Sequence, residues 1–448
     1  MKLSVVGLGK LGSPLAVLLA TKGHDVTGID FNAEIVKNLN NRIAPFHEPR
    51  LQDLLNQKSL SFEATTKYEP AVNQSDATFI IVPTPSEESG LFTNRYILQA
   101  LEKIGEALKK KDGYHLVVIT STVMPGSTNG EIRQTLEQFS GRKVGENLGL
   151  CYSPEFIALG SVIKDMLRPD MILIGESDQK AGDMLQSIYE SFCENTPPMQ
   201  RMNCVNAELT KLSLNTYVTT KISYANMLGA VCESLPDSDV DVVTQAIGLD
   251  SRIGRKYLKA AVAFGGPCFP RDNVAFRSMA KNLNVSVDLA EATQRVNDFQ
   301  PSRLESLISR YEKGNKIGIL GLSYKPGTYV IEESPGVKVA NRLIKNGYQV
   351  TVYDPMALSE AKKVLDQQIS IASSIEDCLG CCDTAVIMTN WPEFSVEITP
   401  ELVKQTETCK LIVDCWRTLD QNLFDDSCQV IYLGQGVNEV EKEKLLTV

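Results

Sequence analysis

"KLSVVGLGKLGSPLAVLLATKGHDVTGID", residues 2–30, reads as strand, glycine turn, helix and second strand. Leu3, Val5 and Val6 are the residues of a buried strand. Pro14 to Ala20 form an apolar helix face, and Gly23 stands where a helix-ending glycine belongs. The turn between them, Gly7-Leu8-Gly9-Lys10-Leu11-Gly12, matches the spacing G-x-G-x-x-G. Alone that spacing is weak. Here it follows a strand, opens a helix and is answered by an acid, Asp30, at the end of the next strand, which makes it a dinucleotide fingerprint. Gly7 permits the tight turn, Gly9 lets backbone N–H groups approach a pyrophosphate, and Gly12 lets helix and strand pack closely. Asp30 would accept from both ribose hydroxyls and repel a 2′-phosphate, so the expected cofactor is NAD.

Working outward, "DATFIIVPTPS" (76–86) and "HLVVITSTVMPGST" (115–128) are further strands that run into Thr and Pro. Ligands of open α/β sheets bind at the carboxyl edge, so Thr84, Pro85, Ser121 and Thr122 are expected to line the cofactor crevice, although Thr-Pro is also simply a good turn. The same order returns near the C-terminus: "NKIGILGLSYKPGT" (315–328), "KNGYQVTVYDP" (345–355) with Asp354, "CDTAVIMTNWP" (382–392) and "CKLIVDCWRT" (409–418). Four matching segments imply a second doubly wound domain. Its turn carries Ser323 and Lys325 in place of the full glycine set. A single nucleotide, with Lys325 near phosphate, suits it better than a second dinucleotide.

Between the two halves, "NAELTKLSLNTYVTTKISYANMLGAVCESL" (206–235) has no Gly or Pro before Gly229. Leu209, Leu212, Tyr217, Ile222 and Met227 recur at helical spacing. Such a helix would join the domains and pair with a second copy, making a homodimer. Lys211 and Asn215 sit one turn apart on it, either as a solvated edge or as a site. The expected fold is therefore α/β, two doubly wound Rossmann-like domains joined by a long central helix and a helical dimerisation segment. Its divisions are 1–198, 199–298 and 299–448.

The chain has 448 residues, 43% hydrophobic and 22% charged, with a net charge of −10. That balance belongs to a soluble globular protein and argues against nucleic-acid or polybasic membrane partners. No apolar run approaches the ~20 residues of a membrane helix, and no export signal precedes the first strand. The 11 cysteines are odd in number and irregularly spaced, which suggests unbridged thiols in a cytoplasmic setting. "CLGCC" (378–382) lacks a second Cys pair or a His to complete a metal site, so no metal is expected and those thiols read as buried and inert.

One run remains. "AFGGPCFPRD" (263–272) sets Cys268 among glycines and prolines, too broken for a helix and too apolar for an ordinary loop. With "VVGLGKLGSPLA", "PFHEPRL", "VPTPS", "STVMPGST", "SPEFI", "AELTKLSLNTY" and "GLSYKPGT", the stretch "DSRIGRKYLKAAVAFGGPCFPRD" resembles the nucleotide-sugar 6-dehydrogenases over essentially the whole chain. The resemblance implies oxidation of a sugar C6 alcohol to a carboxylate with two NAD+, UDP-glucose being the expected substrate and UDP-N-acetylhexosamine or GDP-mannose the alternatives.

It also implies roles. Cys268 falls on the nucleophile that traps the aldehyde as a thiohemiacetal and then a thioester, and Glu155 on the carboxylate that activates the hydrolytic water. Lys211 and Asn215 fall on the pair that binds the reacting oxygen. Asp272 and Thr122 fall on residues that move the C6-hydroxyl proton through water, Thr122 also touching the nicotinamide. Phe156, Ile157, Tyr257, Gly265, Lys325 and Arg417 fall on substrate-contacting positions, and Arg252 on an arginine that reaches substrate across a dimer contact. Three departures stand out. Glu332 replaces an arginine expected to face the NAD pyrophosphate, Leu159 replaces an acid, and Cys415-Trp416 precede Arg417 where Gly is usual. A non-catalytic binding protein is the reading they leave open.

Overall fold

The computed structural model describes residues 1–425 and 427–437. It divides into two compact units, Met1–Ser213 and Leu214–Val448.

The first unit is built on eight strands: β1 (Lys2–Val6), β2 (Asp25–Ile29), β3 (Phe62–Thr65), β4 (Ala77–Ile80), β5 (His115–Ile119), β6 (Leu148–Tyr152), β7 (Ile172–Glu176) and β8 (Met199–Met202). Their order is β3-β2-β1-β4-β5-β6-β7-β8. Every pair is parallel except β6 with β7. A sheet covered on both faces needs strands that are apolar on both, and β1 shows it. Leu3 and Val5 enter one core with Leu15, Leu18 and Leu51, while Val6 enters the other with Ile97, Leu101 and Ile119. The helix Gly12–Thr21 is buried from Gly12 to Ala20. The single apolar face expected there is therefore an apolar cylinder. Gly23 closes it at φ +89°.

The second unit repeats the plan with β9 (Lys316–Leu320), β10 (Gln349–Tyr353), β11 (Ser370–Ile371), β12 (Thr384–Ile387), β13 (Leu411–Asp414) and β14 (Gln429–Tyr432), in the order β11-β10-β9-β12-β13-β14. Numbered within each sheet, both contain the order 3-2-1-4-5-6, the first continuing with 7-8, and both have the dinucleotide-fold switch point between strands 1 and 4. Cys378 and Cys382 are buried in this unit's core and burial pushes the Cys378 thiol up; Cys381, expected to be buried, is exposed. No disulfide forms among the described residues, which include all 11 cysteines.

The helix Cys204–Glu233 runs through the division between the units. Helices Val240–Gly248, Phe269–Asn282 and Asp288–Tyr311 follow it. Residues 199–202 are the edge strand of the first sheet, and the helix Asp288–Tyr311 continues through residue 298. The run around Cys268 is also not irregular throughout. Cys268 is the N-cap of the helix Phe269–Asn282, with Pro270 and Asp272 in its first turn, where a missing N–H and a negative charge are both favoured. At the far end of the long helix, Glu233 binds Arg303 at 2.6 Å and also accepts from the Gly434 N–H at 2.8 Å.

The glycine turn yields a test of sign. In a helix, Gly→Ala ordinarily stabilises by about 1 kcal/mol. A Cβ on Gly12 would stand 1.8 Å from the Gly7 carbonyl oxygen. Gly12→Ala is therefore expected to destabilise the chain, by roughly 1–3 kcal/mol for an overpacked contact, measured by urea unfolding.

Candidate active site

In the first unit the cofactor-type residues gather at the carboxyl ends of β1, β4 and β5. Gly9 meets nothing within 4 Å if a Cβ is added, so the turn offers open backbone N–H groups beside Lys10 and Leu11. Asp30, 8% exposed, accepts from the Leu8 N–H at 2.7 Å and from the Asn32 N–H at 2.8 Å. Those two bonds hold the glycine turn and leave further lone pairs for a ribose. Thr84 Oγ1 donates to the Thr122 carbonyl at 2.7 Å, and Ser121 Oγ bonds both the N–H and the C=O of Val82. Pro85 is exposed beside them.

The loop that carries Thr122 is fastened by a residue the sequence reading quoted without assigning. Glu208, wholly buried, accepts from the Gly126 N–H at 2.6 Å and the Thr128 N–H at 2.7 Å. Burial pushes its carboxyl upward against those hydrogen bonds. An acid three residues before Lys211 on the same helix was the available signal.

Lys211, 7% exposed, donates to the Glu155 carbonyl at 2.7 Å and sits 4.6 Å from the centre of the Phe156 ring. Of its two sequence readings, the solvated edge is thereby excluded. Glu155 keeps part of its residue surface, yet its Oε1 is enclosed with no hydrogen-bond partner among the described residues. Desolvation raises its pKa to about 7, with the Lys211 charge pulling the other way. Ile157 and Leu159 pack against the apolar core, which explains a leucine where an acid is usual.

In the second unit Asn215 Nδ2 donates to Asp272 Oδ2 at 2.6 Å, both residues being buried. The Asp272 N–H in turn bonds the Cys268 carbonyl at 2.8 Å. Cys268 itself is exposed. Its loop needs glycine twice. A Cβ on Gly265 would lie 2.4 Å from the Glu333 carbonyl oxygen, and Gly266, at φ +84°, would meet the Tyr324 ring at 2.6 Å. The Gly266 N–H donates to the Glu332 carbonyl at 2.9 Å, so the altered 329–333 loop serves the cysteine loop through its backbone while the Glu332 side chain is exposed.

Other expected contacts lie in less direct settings. Tyr257 stands at φ +62° with its ring 6.2 Å from Phe269, edge to face. Arg252, 85% exposed in its side chain, pairs with Asp250 at 2.6 Å. Arg417 is held by Asp239 at 2.7 Å and Asp241 at 3.4 Å. Lys325 is half-buried in the loop after β9. Asp354, the counterpart of Asp30, is saturated. It accepts from the N–H groups of Leu322, Ser323, Met356 and Ala357, from Ser323 Oγ and from Trp391 Nε1. No lone pair is left for a ribose, which fits a site without a second dinucleotide.

Known proteins resemble this chain over most of its length. Residues 1–193 match the NAD binding domain of the UDP-glucose/GDP-mannose dehydrogenase family, 205–299 its central domain and 318–421 its UDP binding domain. The chain is 36% identical over 400 residues to the UDP-glucose 6-dehydrogenase AglM of Haloferax volcanii, covering 88% of this chain and 92% of that one. It is 35% identical over 360 residues to a GDP-mannose 6-dehydrogenase of Pseudomonas savastanoi pv. phaseolicola, covering 79% and 81%. A solved UDP-glucose dehydrogenase from Pyrobaculum islandicum superposes with a TM-score of 0.85 at 34% identity, over 97% of this chain and 98% of that one.

The chain belongs to the UDP-glucose/GDP-mannose dehydrogenase family.

NAD is the cofactor of that family's first domain, and the open Gly9 backbone and Asp30 are the groups that fit it here. Burial places the Glu155 carboxyl close to neutrality. The same burial carries a stability signature. A carboxyl whose folded pKa lies above its ordinary 4.5 holds its proton longer in the folded state, so stability falls as pH rises from 4.5 to about 7 and is level above. Glu155→Gln should remove that fall. Denaturant midpoints at pH 5 and pH 8 are expected to show the Gln variant gaining on the parent by on the order of 1–3 kcal/mol.

Proposed function

We propose that this chain oxidises the C6 alcohol of UDP-glucose to the carboxylate of UDP-glucuronate. The observation that carries the reading is the exposed Cys268 thiol at the head of a helix whose first turn holds Asp272 against Asn215. A dehydrogenase that stops at the aldehyde has no use for such a thiol. When bound, NAD+ accepts a hydride from the sugar carbon, once at each oxidation level.

The chain's own groups supply the rest. Lys211 and Asn215 hold the C6 oxygen and favour its negative charge as it loses a proton, with Asp272 and a water bound at Thr122 taking that proton. The Cys268 sulfur then bonds to the aldehyde carbon, and the first-turn N–H groups favour negative charge beside it. Loss of the second hydride leaves a thioester. Water, deprotonated by Glu155, adds to the acyl carbon; the C–S bond breaks and the thiolate is released. The balance is two NAD+ reduced and one water consumed per sugar. Phe156, Ile157, Tyr257, Gly265, Arg252, Lys325 and Arg417 are proposed to bind the nucleotide sugar.

We also propose the division of labour 1–198 for NAD, 199–298 for dimerisation and 299–448 for the nucleotide of the substrate. Homodimerisation is supported by an apolar stripe on the helix Cys204–Glu233, where Tyr217, Tyr224 and Val231 recur every seven residues, with Met227 between, at 45–61% exposure. A cytoplasmic setting is proposed from the unbridged cysteines; among the described residues no helix is long and apolar enough to cross a membrane.

Two measurements test the reading. NADH formed per UDP-glucose consumed should be two, and initial rates over a panel including GDP-mannose and UDP-N-acetylhexosamines should be highest with UDP-glucose. Cys268→Ser should lower turnover by roughly three orders of magnitude while UDP-glucose still binds. A stoichiometry of one, or a fully active serine variant, refutes the thioester route. For the assembly, Tyr224→Glu with Met227→Glu should halve the mass seen by light scattering.

A further inference from the structure

We propose that Glu48 is a positioning residue for Glu155, so that hydrolysis of the acyl-enzyme depends on it and cofactor binding does not. The inference deepens the proposed function and rests on it. The loop from Ser153 to Ser161 leaves the carboxyl end of β6 without helix or strand, yet it must present the Glu155 carboxylate to a water within hydrogen-bond reach. At its leading end it is held by Lys211 Nζ on the Glu155 carbonyl, at 2.7 Å. At its trailing end it is held by Glu48, whose Oε2 accepts from the Gly160 N–H at 3.0 Å and whose Oε1 accepts from the Val162 N–H at 2.8 Å. These are charge-assisted bonds to two amides of one turn, made across 112 and 114 residues of chain.

Glu48 can serve as an anchor because it is itself fixed. It is 7% exposed, and its carbonyl accepts from the Leu51 N–H at 3.1 Å, at the start of the helix Leu51–Leu55. Leu51, Leu54 and Leu55 lie in the same core as Val162 and Ile163, against which Ile157 and Leu159 of the loop also pack. Its negative charge also faces the first N–H of the helix Val162–Leu167, a favourable placement. No carboxylate oxygen of Glu48 is assigned to the substrate. Its action runs through the loop. In Glu48→Gln one acceptor becomes an NH2 group facing backbone N–H donors, so the trailing end of the loop loses a bond and gains a clash, and Glu155 is no longer held from that end.

The test is stopped-flow NADH formation with saturating UDP-glucose and NAD+. Glu48→Gln is expected to keep a fast burst of two NADH per Cys268 and to slow the phase that follows by about 10-fold or more, as a displacement near 1 Å can do. The acylated cysteine should accumulate in the mass spectrum. Its NAD+ affinity, by fluorescence titration, should move less than about two-fold. The double variant Glu48→Gln/Glu155→Gln should hydrolyse no more slowly than Glu155→Gln alone, because a group acting only through Glu155 adds nothing once that carboxylate is gone. Unchanged slow-phase kinetics in Glu48→Gln, or an additive double variant, overturns the inference. Should Glu48→Gln fail to bind NAD+, Glu48→Asp, which keeps the charge and shortens the reach, carries the same expectations. Absence of any acyl-enzyme in the parent and in Glu155→Gln defeats the thioester reading, a different outcome from failure at Glu48 alone.

Discussion

A parallel sheet hands each strand to a loop whose backbone N–H groups have no ladder partner, and a buried N–H without an acceptor is costly. In this protein the acceptors at the carboxyl edges are repeatedly carboxylates. Asp30 takes the Leu8 N–H after β1, Glu208 takes Gly126 and Thr128 after β5, and Glu48 takes Gly160 and Val162 after β6. In the second sheet Asp354 takes Leu322 and Ser323 after β9, and Asp414 takes Trp416 and Leu419 after β13. Each of these acids is buried. A buried charge is tolerable only when it is well bonded, and oriented amides do that here in place of a cation. The outcome is that loops bearing Thr122, Glu155, Lys325 and Arg417 are fixed from beneath.

The two sheets share one topology and differ in what that device leaves over. Asp30 spends few of its acceptor positions on the chain and stands beside an open glycine turn. Asp354 spends all of its own on the chain and receives the indole of Trp391 as well. An equivalent acid at the end of an equivalent strand therefore keeps acceptor positions free in one sheet and serves only as a brace in the other. The count of donors around the carboxylate makes the distinction.

The same reasoning accounts for the departures from the family pattern. Where an arginine is usual at 332, the loop contributes a carbonyl to Gly266, and a backbone atom is indifferent to the side chain beside it. At 159, leucine joins a core already formed by Leu51, Leu54 and Val162. Arg417 pairs with Asp239 and Asp241, a bidentate partner set that a smaller or uncharged residue could not engage. None of these changes removes Cys268, Lys211, Asn215 or Asp272.

Much of the architecture was legible because it rests on local pattern. Continuous apolar runs such as Leu3 to Val6 specify strands covered on both faces, and the Gly7-Gly9-Gly12 spacing with Asp30 specifies the turn between them. The repeat of four segments near the C-terminus specified a second sheet, and the motif around Cys268 marked its thiol. What the chain alone could not disclose lies in contacts between residues far apart. Glu48 and Glu208 carry no assigned role in the sequence, and folding sets them against amides 112 and 82 residues away. Asp354 stands at the strand end that matches Asp30, and only the count of its donors shows it to be a brace, while Cys268 read as a loop residue although Pro270 and Asp272 already signal a helix start. Spacing in sequence determines which backbone shape is cheap. Only the folded chain decides which polar groups are denied water, and therefore which side chains must answer them.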